Sequence, residues 1–227
     1  MALKLMLVET DEGLFRAIKE WVQALSVEVL ALTETREAIK RIQKERFDGF
    51  LVEGRLPPPD CFDLARAVRT GTSSRSAPIA LLTEPEDLDT MRRAFAQGIS
   101  VFLFKPVTQE RLTALIRVMR GPMLAEKRRR ARLPVRVPVA CIQGGNRFNG
   151  TSVNLGEGGM LLDLPRKAEL GEPIEMEFQV PGSENAVQAR GRVVRNEPPS
   201  RSAIAFDNVP AEGIEAIRQF IRGTVKE

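Results

Sequence analysis

The 227-residue chain contains no histidine, no tyrosine and only two cysteines. The lack of histidine excludes a Ser-His-Asp triad, a histidine metal centre and a phosphorelay histidine within this chain. Cys61 and Cys141 fall in different halves of the chain, so we expect no structural disulfide, and a reducing compartment is the simpler interpretation. No apolar run approaches the ~20 residues that a membrane-spanning helix needs, and the N-terminus lacks a signal-peptide pattern. We therefore expect a cytoplasmic protein without membrane insertion.

The positive charge of the chain is concentrated in one short stretch. Residues 1–120 carry 18 basic and 17 acidic side chains, and the remainder carry 16 and 13. Six of those 16 lie between residues 127 and 136. One local patch, few aromatic residues (5%) and no helix-turn-helix pattern argue against a nucleic-acid partner.

The first half of the chain alternates short apolar runs with helical periodicity. The runs cover residues 5–8, 27–32, 50–52, 79–82 and 101–104. This alternation predicts an α/β doubly wound five-stranded parallel sheet covered on both faces. Ligands of such sheets bind beyond the carboxyl ends of the strands. The polar residues at those ends are Glu9, Thr10, Glu53, Thr83 and Lys105.

This set of strand-end residues resembles that of response-regulator receiver domains. The resemblance implies an acidic pair for Mg²⁺ after the first strand, a phosphoacceptor aspartate after the third, a Thr or Ser after the fourth and a Lys-Pro after the fifth. Thr83 and Lys105 match this pattern, whereas Thr10 stands at one acidic position, Glu9 at the other, and Glu53 replaces the aspartate.

Glu53 places its carboxylate one methylene further into the space that a metal and a phosphoryl group would share. Mg²⁺ needs near-ideal octahedral geometry and well-placed carboxylates. We therefore expect a pseudo-receiver that binds no metal and is not phosphorylated. Either Glu53 imitates the phosphorylated state by pairing with Lys105, or the pocket has decayed and the fold serves as a docking or dimerisation surface; we favour the second.

The second half of the chain has the period-2 alternation of strands. Val135, Val137, Val139 and Cys141 alternate with other residues, and similar patterns cover residues 147–153, 159–164, 174–180, 187–195 and 202–206. A helix pattern follows Pro210. We predict a small antiparallel β-barrel with a C-terminal helix.

The predicted domain boundaries follow from turn signals. Gly121 and Pro122 are expected to end the last helix of the first half near Arg120. The prediction is a receiver-like domain over residues 1–120, a basic connector over 121–131 and a barrel over 132–227. The connector is either helical or ordered only by a ligand.

Two short motifs at the start of the second half fit an anionic ligand. Arg128 and Arg132 are spaced four apart, and arginine grips a phosphate or the O6/N7 edge of guanine in bidentate fashion. Asn154 begins a glycine-rich turn that includes Gly156 and Gly159, where backbone N–H groups can approach a ligand closely.

Together these motifs resemble RxxxR and [D/N]xSxxG, the signature of PilZ domains, which are bacterial receptors for cyclic di-GMP. The resemblance implies that Arg128 and Arg132 hold phosphates and guanine edges with Lys127 adding charge, that Asn154 faces a guanine, and that the turn from Gly156 to Gly159 cradles the ligand. Gly156 departs from the family because it stands where serine is usual.

Simpler interpretations exist for both motifs. A charge run is most often a solvated linker, and the glycines suit a tight turn between strands. Our leading hypothesis is a non-enzymatic effector that binds cyclic di-GMP through its second half and relays it to an unidentified protein partner through its first half. The alternative is an interaction scaffold that has lost the nucleotide. No nucleophile-base pair or phosphate loop that would indicate an enzyme can be assembled.

Overall fold

The computed structural model describes residues 2–71, 73–99 and 101–224. The chain divides between Lys127 and Arg128 into two compact units. Among the described residues, no helix combines the length and the apolar character that crossing a membrane requires.

The N-terminal unit is a parallel sheet with strand order β2-β1-β3-β4-β5 and helices between consecutive strands. Its elements are β1 (Leu3–Val8), α1 (Glu12–Gln23), β2 (Val27–Leu32), α2 (Thr35–Lys44), β3 (Gly49–Glu53), α3 (Cys61–Thr70), β4 (Ile79–Thr83), α4 (Leu88–Ala96), β5 (Val101–Phe104) and α5 (Gln109–Arg130). The prediction of a five-stranded doubly wound sheet is confirmed.

The sheet is buried on both faces, as its continuous apolar strands require. The side chains of β3 and β4 are all buried. One core lies among Met6, Phe50 and Leu81, and the other among Leu5, Leu51 and Leu82 on the opposite face. This arrangement brings the carboxyl ends of β1, β3, β4 and β5 to one edge of the sheet.

Helix α5 extends ten residues beyond the end that we predicted at Arg120, so that prediction is wrong. Pro122 lies inside the helix, although an interior proline costs about 3 kcal/mol. Met123 is fully buried and Leu124 nearly so, both in the core formed with Leu5 and Leu51. Their burial offsets the helix defect. For the connector, the sequence allowed either a helix or a segment that only a ligand orders. The structure shows a helix up to Arg130.

The C-terminal unit is a closed antiparallel barrel followed by a helix, as predicted. Six strands close through the order β8-β7-β10-β11-β12-β9 with a final β8–β9 pairing, and β6 adds to β8. The elements are β6 (Leu133–Pro134), β7 (Pro138–Gln143), β8 (Asn146–Gly156), β9 (Gly159–Asp163), β10 (Pro173–Gln179), β11 (Ala186–Glu197), β12 (Arg201–Asn208) and α6 (Ala211–Thr224).

The barrel core follows the period-2 alternation of its strands. In β10, Ile174, Met176 and Phe178 are buried while the residues between them are exposed. Helix α6 adds Ile217 and Ile221 to this core. The strand that we predicted from Val135 begins only at Pro138, because residues 135–137 bond to β8 in an irregular way.

Candidate functional site

The short β6–β8 ladder joins the two sequence motifs. Leu133 pairs with Leu155 and Pro134 pairs with Asn154 in antiparallel register. Arg132 comes directly before this ladder, and Gly156 directly after it on the other strand. Two motifs separated by more than 20 residues in sequence therefore meet at one end of the barrel.

The backbone before β6 lies directly on Gly156. A Cβ atom built on Gly156 would be 2.7 Å from the carbonyl oxygen of Ala131 and 3.3 Å from Cγ of Arg132. Real Cβ atoms do not approach a backbone oxygen so closely. The glycine that departs from the family pattern is therefore the residue that lets the arginine segment pack against β8.

Ser152 holds the segment that follows the arginines, and the sequence analysis missed this residue. Its hydroxyl donates to the Val135 carbonyl oxygen (2.6 Å) and accepts from the Val137 N–H (2.9 Å). Its own N–H donates to the Val137 carbonyl oxygen (2.9 Å). Ser152 is fully buried. Its position two residues before Asn154 is the signal that could have identified it.

Two polar atoms of the motifs lack hydrogen bonds within the described part of the chain. Nε of Arg128 and Oδ1 of Asn154 are both buried atoms without a partner. Such atoms are uncommon because desolvating an unpaired polar group costs about 1–3 kcal/mol. Arg132, in contrast, is exposed. The site therefore offers one free guanidinium, one half-buried guanidinium and an unpaired amide oxygen.

Gly159 has a structural role in the hairpin that does not depend on a ligand. Gly156 pairs with Gly159 to close the β8–β9 hairpin around Glu157 and Gly158. The φ of Gly159 is 156°, and its Cβ would lie 2.1 Å from the Ile204 carbonyl oxygen. The tight turn that we considered as an alternative use of these glycines is present.

The remaining predicted ligand residue, Lys127, belongs to the N-terminal unit. Its ammonium donates to the Ala2 carbonyl oxygen at 2.7 Å. Arg128 and Arg132 flank the end of α5, where the Arg128 carbonyl accepts from the Ala131 N–H at 3.0 Å. Cations near a helix C-terminus are favoured by the helix dipole. A role for Lys127 in binding stays a prediction.

The polar edge of the N-terminal sheet is a buried ion-pair pocket. Glu9, Glu53 and Thr83 are all buried, and Lys105 forms an ion pair with Glu53. Backbone N–H groups of Asp11 and Arg55 donate to Glu9 Oε1 and Glu53 Oε1, each at 2.9 Å. Within the described residues, Glu9 Oε2 and Thr83 Oγ1 have no hydrogen-bond partner.

The electrostatics of the pocket favour a proton on Glu9. Burial, together with the neighbouring Glu53 carboxylate, raises the pKa of Glu9 against the lowering effect of the Asp11 N–H. Burial lowers the pKa of Lys105, but the hydrogen bond and charge of Glu53 outweigh it, so this pKa is raised overall. The pocket thus keeps Lys105 charged beside Glu53.

One predicted pocket residue, Thr10, is not buried with the others. Thr10 is exposed at the start of the loop after β1. Over residues 2–71, 73–99 and 101–224, no group of three or more Asp, Glu, His or Cys side chains is placed to hold a metal ion.

Two protein-family models match the chain, one in each half. The response regulator receiver domain model matches residues 5–117, and the PilZ domain model matches residues 126–223.

Two curated proteins illustrate the similarity of the first half. The transcriptional regulatory protein CrdR of Helicobacter pylori is 30% identical over 117 residues, which cover 52% of this chain and 54% of that protein. The sensory transduction protein BceR of Bacillus subtilis is 28% identical over 116 residues, 51% of this chain and 49% of that protein. The chain spans about half the length of these curated relatives.

Among solved structures, the chemotaxis response regulator CheY4 of Vibrio cholerae matches with a TM-score of 0.50 and 24% identity, over 52% of this chain and 99% of that chain. A receiver domain of an HD domain-containing protein of Pseudomonas fluorescens matches with a TM-score of 0.51 and 19% identity, over 55% and 99%. At these identities the likeness shows the fold alone.

Proposed function

We propose that this chain, in which a response regulator receiver domain precedes a PilZ domain, is a cytoplasmic effector that binds cyclic di-GMP and relays the signal to a protein partner. Receiver and PilZ domains are signalling modules, and PilZ domains are in general receptors for cyclic di-GMP. The observation that carries the proposal is the β6–β8 ladder: Arg132 lies beside Gly156, and Asn154 pairs with Pro134 two register positions further along.

The chemistry of the site suits a nucleotide with two phosphates and two guanines. The exposed guanidinium of Arg132 can bind a phosphate or a guanine O6/N7 edge in bidentate fashion. Oδ1 of Asn154 is an unpaired acceptor, and the Watson–Crick edge of guanine carries donors. A ligand that hydrogen-bonds to Asn154 and to Nε of Arg128 would remove two unfavourable buried groups.

The receiver domain in this proposal acts without phosphorylation. Lys105 is already paired with Glu53, which stands where the family has the phosphoacceptor aspartate. This ion pair supports the interpretation in which Glu53 imitates the phosphorylated state, the one that we favoured less from sequence. Incubation with acetyl phosphate and Mg²⁺ followed by intact mass measurement should show no added phosphoryl group. A stable phosphorylated species would refute this part of the proposal.

A second candidate function rests on Gly156. The Ala131 carbonyl lies where a serine side chain would project, so the hydroxyl contact implied by the family pattern is absent and its space is filled. If this closure prevents nucleotide binding, the PilZ domain is an interaction scaffold that acts through protein contacts. The two candidates differ in whether the purified protein binds the nucleotide.

Isothermal titration of cyclic di-GMP into the full-length protein tests the proposal. We expect saturable binding near micromolar or tighter, a free energy of about −8 kcal/mol, and a tenfold or greater loss in Arg132→Ala. Arg136→Ala is the matched control, because Arg136 is also exposed but lies outside the ladder. No binding, or equal losses in both variants, would favour the scaffold.

A further inference from the structure

A groove on the C-terminal unit lies between helix α6 and the β10–β11 loop, residues 181–185. The groove has a volume of about 740 Å³, and a neighbouring cavity of about 250 Å³ shares four of its lining residues: Ser183, Asn185, Glu212 and Ala216. We call this feature the helix–loop groove. Its volume falls within the roughly 300–1,000 Å³ range of binding pockets.

The loop wall of the groove is held in place by hydrogen bonds. The side-chain amide of Gln179 donates to the carbonyl oxygens of Ser183 (2.8 Å) and Glu184 (3.3 Å). The Ser183 hydroxyl donates to the Asn185 carbonyl oxygen at 2.9 Å. A wall that is already ordered lowers the entropy cost of binding.

The helix wall supplies an apolar floor. Helix α6 uses Gly213, Ile217 and Ile221 to pack on the barrel, while Ala216 and Phe220, one turn apart, line the groove. Pro181 lines the groove from the loop side. One apolar side chain of a partner could therefore be buried between the helix and the loop.

The rim of the groove is acidic, although the whole chain carries a net charge of +4. Glu184, Glu212 and Glu215 line it. Glu215 is paired with Arg222, whereas Glu184 and Glu212 have no ion-pair partner within the described residues. These two carboxylates, neither of them in an ion pair, favour a cationic partner.

We propose that the helix–loop groove binds a short basic peptide segment of a partner protein. An apolar side chain of the segment packs on Ala216 and Phe220, and its Lys or Arg residues lie beside Glu184 and Glu212. None of the residues that line this groove belongs to the β6–β8 ladder, so peptide binding can be tested without cyclic di-GMP.

Fluorescence anisotropy of a fluorescein-labelled peptide, acetyl-Lys-Arg-Leu-Lys-Arg, against the full-length protein without nucleotide tests this proposal. We expect saturable binding that Glu184→Lys weakens tenfold or more. Glu177→Lys serves as the matched control and should change the dissociation constant less than twofold. Glu177 is also exposed, but it lies on β10 and lines a different groove. Circular dichroism verifies that both variants are folded.

A second probe, with glycine in place of leucine, tests the apolar floor independently of any variant. We expect it to bind at least fivefold more weakly than the leucine peptide. Equal binding of the two peptides, equal losses in Glu184→Lys and Glu177→Lys, or no saturation up to about 1 mM would each overturn the proposal.

Discussion

The carbonyl oxygen of Ala131 lies 2.7 Å from the position that a Cβ atom would take on Gly156. We therefore expect Gly156→Ser, which restores the residue usual in the family, to destabilise the PilZ domain by about 1–3 kcal/mol, because the backbone must shift to admit the side chain. The same shift displaces Arg132, so cyclic di-GMP binding should weaken. Urea unfolding followed by circular dichroism and calorimetric titration measure the two effects.

Gly158→Ser is the matched control for this substitution. Gly158 is exposed in the same hairpin, and a Cβ there meets nothing within 4 Å. Its effect on stability should stay within about 0.5 kcal/mol. Tighter nucleotide binding by Gly156→Ser with unchanged stability would contradict our account of this contact.

Ser152→Ala should destabilise the same domain by about 1–3 kcal/mol, because the Val135 carbonyl and the Val137 N–H each lose a hydrogen bond near the core. Thr151→Ala is the control, since the Thr151 hydroxyl has no hydrogen bond within the described residues. Urea unfolding followed by circular dichroism measures both. Equal effects of the two substitutions would show that Ser152 does not hold residues 135–137, the segment that follows the arginines.

Asn154→Ala separates a binding role from a structural one. The amide oxygen is buried without a partner, so its removal should change the free energy of unfolding by less than about 1 kcal/mol. Affinity for cyclic di-GMP, measured by calorimetry, should fall tenfold or more. A large loss of stability with unchanged affinity would assign Asn154 to the fold alone.

Glu9→Gln should raise the melting temperature of the receiver domain by a few degrees at pH 8. The pKa of Glu9 is raised above its usual 4.5, so protonation stabilises the folded state at low pH, and this stabilisation is lost as pH rises through the folded-state value. Glutamine imitates the protonated form at every pH and can still accept the Asp11 N–H. The difference from the wild type should therefore shrink as pH falls toward 4.5.

Fluorescence of Trp21, the only tryptophan, reports thermal unfolding of the receiver domain because Trp21 packs on its core. Glu12→Gln, at a mostly exposed position of α1, should keep the pH dependence of the wild type. A constant offset for Glu9→Gln between pH 5 and 8 would contradict a raised pKa for Glu9.

Met123→Ala should destabilise the receiver domain by about 2–5 kcal/mol, the usual loss for a large side chain removed from a core. Trp21 fluorescence in urea measures it in the full-length chain. Gly121→Ala, two residues earlier with nothing within 4 Å of its Cβ, should be neutral or slightly stabilising. Equal stability of both variants would place residue 123 outside the receiver core.

The sheet of the receiver domain could be predicted because its strands are continuous apolar runs. Residues 27–32 and 101–104 were predicted with the ends that the structure gives β2 and β5. The end of α5 was not, because Pro122 is a strong local signal against a helix. The burial of Met123 that overrides it depends on packing against residues distant in sequence, such as Leu5 and Leu51.

The sequence predicted which residues form the candidate site, but it did not predict their contacts. The spacing of Arg128 and Arg132 suggested an anion site, and Gly156 suggested a close approach of the ligand to the backbone as well as the loss of the usual serine. The Ala131 carbonyl above Gly156 and the bridge from Ser152 come from the register of β6 on β8. That register requires the barrel to be formed.

Closure of the barrel limits how a partner can recognise the PilZ domain. Each of its six long strands has a hydrogen-bonded neighbour on both sides, so most of their backbone N–H and C=O groups are already used. Strand addition, a common way to recruit an extended peptide, needs an edge strand, and none of these six is an edge strand. Recognition at the barrel wall therefore depends on side chains. A single substitution can change such a side chain without altering the fold.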